Sequence, residues 1–300
     1  MKTLISRSLE TTVKKVNLIL MFMGGLISAS MLSSMIAYED GSYQRVMGIC
    51  INAQHLLVFF LITGIYLIIV TSVGTGNIAG ENADGTLKLL VAKPNSRVQI
   101  LLAKLIGTVG GEMILYGIGL TAYYSFSGIF GKADGSVFRL MLGYLPGYLL
   151  FGLAITLAVN SLATLLSCLF NKKIGAMLLV LAVVILTLGF FPIQRLVMML
   201  NSSEGNWFID LVDTNYHMAT LFRECVRPFG GVINSPATVD IIMYLMKLFK
   251  VSAVDNDISA GEIIVDEYHF LAPALVIGFY AVLSAINYLL SFMIFRKKDI

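Results

Sequence analysis

Six blocks of this chain are each long and apolar enough to cross a membrane, and that feature leaves few folds open. They cover residues 16–37, 56–78, 100–125, 140–170, 174–200 and 270–295. A spanning helix needs about 20 mostly apolar residues, because each residue adds about 1.5 Å and the hydrocarbon core is about 30 Å thick. Backbone polar groups find no water at that depth, so each block must satisfy its own hydrogen bonds as a helix. Composition agrees: 57% of the residues are hydrophobic and 13% charged, about half the charged share of a soluble domain. A soluble enzyme, a disordered linker and a secreted disulfide scaffold are excluded, since a soluble fold cannot cover so much apolar surface. The first block follows Lys14 and Lys15 and contains Ser28-Ala29-Ser30, as a signal peptide would. Its apolar stretch outruns a signal's core, so it reads as an uncleaved span. The expected fold class is an all-α integral membrane protein with six transmembrane helices in a single domain over residues 1–300.

An even number of spans puts both termini on one side, and lysine and arginine choose that side. With cytoplasmic termini, the inner segments hold 13 such residues and the short outer stretches hold four: Arg45, Lys132, Arg139 and Arg195. Both ends are therefore expected in the cytoplasm. The net charge of +3 is explained by this asymmetry, and no nucleic-acid partner is expected. Cys50, Cys168 and Cys225 are too scattered for a metal cage. Cys168 reads as a small buried hydrophobe, while Cys50 and Cys225 fall in outer loops where a bond between them stays open.

Two excursions leave the membrane. The outer one, residues 201–269, is too long for a simple connection. Ser235-Pro236 looks like a helix start, with Val239, Ile242, Leu245, Met246 and Phe249 at helical spacing behind it. Asp210, Asp213 and Tyr216 flank a second amphipathic stretch. The expectation is a helical segment lying over the outer mouth of the bundle.

The inner excursion is the loop 79–99. Asp84 can cap a short helix through residues 86–93, with Leu87, Leu90 and Val91 on an apolar face beside Lys88. Pro94 ends it, because proline lacks the N–H donor and pushes its predecessor out of helical geometry. Ser96-Arg97-Val98-Gln99 has the spacing of a capping box and starts a helix that runs straight into the third span. A soluble partner gripping the short helix could move that span.

This loop resembles the signature of ABC-2-type permeases, the membrane subunits of a class of ATP-binding-cassette transporters. Gly80, Glu81, Gly85, Thr86, Leu87, Leu89, Leu90, Pro94, Arg97 and Lys104 follow that signature, and the closing Phe295-Arg296-Lys297-Lys298-Asp299 resembles the family's tail. The resemblance implies a permease that exports a peptide, drug, lipid-like molecule or ion. It implies two partners besides the lipid bilayer: an ATP-binding-cassette ATPase subunit, and a second permease subunit, identical or not. Coupling to the ATPase would fall on Glu81, Gly85, Thr86, Leu87, Leu90, Pro94 and Arg97. The chain has no phosphate-binding loop of its own, so no cofactor is expected on it directly; ATP and Mg²⁺ belong to the partner, and the chain itself is not an enzyme. The implied setting is a bacterial plasma membrane. Gly74-Thr75-Gly76 ends a membrane helix and is no nucleotide loop.

Inside the spans, Glu112 is the conspicuous charge, since a carboxylate near mid-bilayer costs about 2.5–3.5 kcal/mol on insertion scales. It reads either as a pathway contact or as a carboxylate locking two helices, with Asn160 and Arg195 as partners. Ala103, Gly107 and Gly111, and then Gly143 and Gly147, form small-residue faces for close helix packing. His55, His217 and His269 show no ligand spacing and read as structural. The rival readings are an ion-gradient-driven secondary transporter, with Glu112 as coupling site, and a membrane-embedded enzyme. The first expects an internal repeat or broken helices; the second expects a catalytic motif that this sequence lacks.

Overall fold

The six apolar blocks form six helical spans in the computed structural model, which describes residues 1–37, 43–92, 96–130, 135–200, 207–230, 246, 249–253, 263–267 and 270–297. The first span is preceded by α1 (Lys2–Thr12), which buries Ser8 and Thr12 and exposes Lys2, Arg7 and Glu10. Helix α2 (Lys15–Ala37) is the first span itself. The second combines α3 (Tyr43–Leu56), a π turn at Leu57–Ile62, α4 (Thr63–Thr75) and another π turn at Gly76–Gly80. After the short α5 (Glu81–Ala83) and α6 (Thr86–Val91) comes α7 (Arg97–Phe130), the third span. Helices α8 (Gly135–Gly143) and α9 (Leu145–Leu169) make the fourth. The fifth joins α10 (Lys173–Ile185) to α11 (Phe191–Leu200) through a π turn at Leu186–Phe190. Outside the spans lie α12 (Trp207–Val212) and α13 (Thr214–Val226), and α14 (Pro273–Lys297) is the sixth span.

The second span starts at Met47, well ahead of the expected residue 56, and continues through the polar run Asn52, Gln54 and His55. These side chains are buried, and the fold supplies their partners from elsewhere. Gln54 Nε2 donates to Tyr148 Oη at 2.7 Å and to the Met141 carbonyl at 3.1 Å, and His55 Nδ1 lies 2.7 Å from Tyr148 Oη. Such bonds offset the cost of burying polar groups away from water. Cys50 is consequently no loop residue: it is buried in α3, Cys225 lies in α13, and the two are not bonded to each other.

Helix α7 is the hub, with α2 along one side. Its small-residue face does permit close approach, but the helix received there is α1. A β-carbon on Gly107 would lie 2.5 Å from the Ile5 carbonyl oxygen, and one on Gly111 would lie 2.8 Å from Thr12 Cβ. Of the pair expected in the fourth span, Gly147 is used so, against the Cys225 carbonyl at 2.9 Å, whereas Gly143 meets nothing within 4 Å. Helix α13 is no surface cover. Tyr216, Ala219, Phe222 and Val226 are fully buried, and it packs against α9 and α14. Phe222 reaches the rings of Phe59, Phe151 and Tyr148 at centroid distances of 5.4, 5.0 and 5.8 Å.

The segment between the fifth and sixth spans, expected to be helical, is not so throughout. Strands β1 (Phe249–Ala253) and β2 (Ile263–Glu267) pair antiparallel, with Val251 opposite Val265; the β-branched residues there favour a pleated strand. Phe249, expected on a helix, opens β1. The expected helix from Ser235-Pro236 otherwise lies outside the described residues, apart from Met246, which is helical and buried.

Side-chain bonds gather one end of the bundle. Ser8 Oγ donates to the Lys104 carbonyl at 3.0 Å, and Arg97 Nη1 donates to the Arg296 carbonyl at 3.2 Å. The N-terminal helix, the 80–97 connection, the start of α7 and the end of α14 therefore share that end.

Candidate functional site

The 80–97 connection is built onto the bundle through buried polar bonds. At the π turn the backbone register changes, and Ser167 of α9 takes up the freed groups. Its Oγ accepts from the Ile78 and Ala79 amides at 3.1 and 2.8 Å and donates to the Thr75 carbonyl at 3.0 Å. Next to it, Lys104 Nζ lies 2.6 Å from Glu81 Oε2 and donates to the Asn77 carbonyl at 2.9 Å. Asn77 Nδ2 donates to Thr108 Oγ1 at 2.9 Å, and Thr108 meets Ser8 of α1 at 2.9 Å. Glu81 thus turns inward and braces α5 to the third span.

The turn that follows needs Gly85, whose φ of +72° is the left-handed conformation that a β-carbon disfavours. Gly85 itself precedes the first residue of α6, and no side chain caps that helix, so Asp84 does not serve as the expected cap. Thr86 Oγ1 donates back to the Glu81 carbonyl at 3.3 Å. Leu87 and Leu90 point inward and are buried, while Leu89 is 70% exposed and Lys88 is exposed beside it. Leu87 joins Ile78, Ile100, Leu101, Cys168 and Phe295 in a small apolar cluster. Leu90 closes a gap beside Leu4 and Arg7 of α1. The expected coupling residues Leu87 and Leu90 therefore anchor the helix, and the surface offered outward is Lys88 with Leu89. The expected apolar face of Leu87 and Leu90 does form, with Leu89 off it; that this face turns to the bundle and not to a partner is set by packing.

The expected capping box forms: the Ser96 amide donates to Gln99 Oε1 at 3.1 Å, and the Gln99 amide donates to Ser96 Oγ at 3.2 Å. Pro94 lies outside the described residues. Arg97 caps the carbonyl end of α14, which fixes the third and sixth spans together and complements that end's negative dipole.

Two of the three residues considered for a pathway meet in mid-bundle. Asn160 Nδ2 of α9 donates to both oxygens of Glu112 of α7, at 3.0 and 2.9 Å, and Thr164 Oγ1 donates to Asn160 Oδ1 at 3.1 Å. All three are buried, Glu112 completely, so the pair joins the third and fourth spans. Arg195 does not take part. Its Nε donates to Asp213 Oδ2 at 3.0 Å and its Nη1 to Asn215 Oδ1 at 3.0 Å, which ties the fifth span to α13. Asp213 Oδ1 also accepts from the Tyr216 amide at 2.9 Å, capping α13. Burial holds the His217 imidazole below its ordinary range, with the Asp213 charge partly opposing. Among the described residues, no three His, Cys, Asp or Glu side chains gather as a metal ion would require.

Against this geometry stands a comparison of the whole chain. A family model described as "ABC-2 family transporter protein" matches residues 6–300. A search of curated proteins returns no match.

Proposed function

The chain belongs to the ABC-2 transporter family, a family of multi-pass membrane transport components, and from that premise we propose that it is the permease subunit of an ATP-binding-cassette exporter. In this reading the chain ends and α6 face the cytoplasm, as the lysine and arginine asymmetry favours. A separate ATPase subunit holds ATP and Mg²⁺, and a second permease subunit completes the pathway for a peptide, drug, lipid-like molecule or ion. The observation that carries the reading is α6. It is a short helix held from beneath by Leu87 and Leu90, with Leu89 70% exposed on a loop braced to α7 by the Glu81–Lys104 pair.

The coupling route follows from those braces. Closure of the ATPase pair pushes α6 through Lys88 and Leu89. Glu81 and Lys104 pass the displacement to α7, and Arg97 carries α14 along with it. Between α7 and α9 the Glu112–Asn160 bonds then form the joint that must shift for inward- and outward-open states to exchange.

The test uses the chain co-expressed with the ATPase encoded beside it. Leu89→Glu should abolish co-purification of the ATPase while leaving the bundle's thermal unfolding unchanged. Leu89→Cys should react with a membrane-impermeant maleimide in inside-out vesicles and not in intact cells. Normal ATPase recovery with Leu89→Glu, or labelling from the outside, overturns the reading.

A further inference from the structure

Beside α6, at the same end of the bundle, a cleft of about 370 Å³ opens between the α1–α2 joint, the end of α4 and the start of α10. Its lining carries three basic side chains, with Glu81 and Asp84 at its edge. Arg7 and Lys14 line one wall and Lys173 the other. Neither Arg7 nor Lys14 pairs with a carboxylate among the described residues. The Glu81 carboxylate at the edge is already taken by Lys104 at 2.6 Å, which leaves the exposed Asp84 as the opposing charge. Lys173 is held in place, its Nζ donating to Ser72 Oγ at 3.1 Å. Asn17 Nδ2 is likewise fixed, donating to the Thr12 carbonyl at 2.8 Å.

We propose that this cleft binds a phosphate group, carried either by a membrane phospholipid or by free phosphate. Three cations on two walls converge on one polar space, with hydroxyl and amide groups between them, as phosphate recognition needs. A guanidinium offers a planar fork to two phosphate oxygens, and an ammonium adds a point charge. Arg7 and Lys14 are exposed and Lys173 is half-buried, and all three border the same cleft. The cleft is bordered by Asp84 and Thr86, so an anion held in it would tie α1 and α10 to the turn that carries α6. The site does not depend on the transport reading, since its cations and volume stand whichever partner engages α6.

Native mass spectrometry of the purified full chain tests it in two arms. One arm uses nanodiscs of phosphatidylglycerol mixed with phosphatidylcholine; the other uses detergent micelles with inorganic phosphate. Retained phosphatidylglycerol, or bound phosphate, should fall at least about tenfold in Lys173→Gln and in Arg7→Gln, the scale of one lost charged hydrogen bond. The neighbouring Lys172→Gln should change neither. Retention of the lipid alone assigns the group to a headgroup, and binding in both arms assigns it to phosphate as such. Asn17→Ala, which keeps every charge, should weaken binding in the same direction and guards against misfolding of the charge variants. Equal losses in Lys172→Gln and Lys173→Gln mean diffuse surface attraction and overturn the proposal, as does unaltered binding in Lys173→Gln.

Discussion

Replacing Glu81 with methionine asks what the brace beneath α6 contributes. Its carboxylate lies 2.6 Å from Lys104 Nζ, with the two side chains 21% and 6% exposed. Charges at that separation attract by about 6 kcal/mol at an effective dielectric near 20. Desolvation of Lys104 takes back most of that, and water still reaches part of Glu81, so the net coupling comes to about 2 kcal/mol. Glu81→Met leaves the lysine's charge buried with the Asn77 carbonyl and should cost about 3 kcal/mol, the low end for a broken buried pair. Lys104→Met strands the better hydrated partner and should cost about 2 kcal/mol. The double variant should then cost about 3 kcal/mol, less than the sum, because no unpaired charge remains. Thermal or denaturant unfolding of the four proteins in one detergent completes the cycle. Additivity within about 0.5 kcal/mol, or a single-variant cost for Glu81→Met below that figure, would refute the brace.

Four further outcomes are expected. Asn160→Leu removes both bonds to Glu112 and should destabilise the bundle by about 1–2 kcal/mol, the range for interhelical bonds in membranes, measured by unfolding in detergent. Glu112→Gln should alter transport or stability while the ATPase still co-purifies, and a variant matching the parent in both assays would leave Glu112 without a role. Gly107→Leu pushes a side chain into the Ile5 carbonyl, 2.5 Å from the β-carbon position; it should cost about 1–3 kcal/mol and hasten proteolysis within α1. His217 sits below its ordinary value of 6.5 through burial. The unfolded chain therefore takes the proton first, and the stability from neutral His217 is full above about pH 6.5 and lost as pH falls below it. His217→Phe should flatten that part of the melting-temperature profile relative to the parent, and an unchanged slope would count against it.

What could be read ahead of the structure divides along a physical line. Spans are local signals, since about 20 apolar residues commit a segment whatever its neighbours do, and all six were legible. So was the box at Ser96 and Gln99, whose two bonds close within four residues. Gln54 and His55 looked like the end of a loop because their partners, Tyr124, Tyr148 and Met141, stand 70 or more positions away. Arg195 was legible as a charge in search of a partner; that the partner was Asp213, and not Glu112, depended on where α13 inserts. Leu87 and Leu90 were legible as one face of α6 with Leu89 off it, but that this face turns to the bundle, leaving Leu89 outward, depended on packing against α1.

The box at Ser96 opens a helix that runs without interruption from Arg97 to Phe130, about 50 Å at the usual rise. The second and fifth spans are each interrupted by wide turns, at Leu57–Ile62, Gly76–Gly80 and Leu186–Phe190. A stiff beam set among jointed ones does not share a load evenly. Tilt applied at one tip of the beam arrives at the other undiminished, while the jointed spans flex and lag. Far-side motion in this protein is therefore expected to follow the angle of a single helix, and a proline placed midway along it, which removes a backbone donor and kinks the helix, should cut that motion while the near-side grip survives.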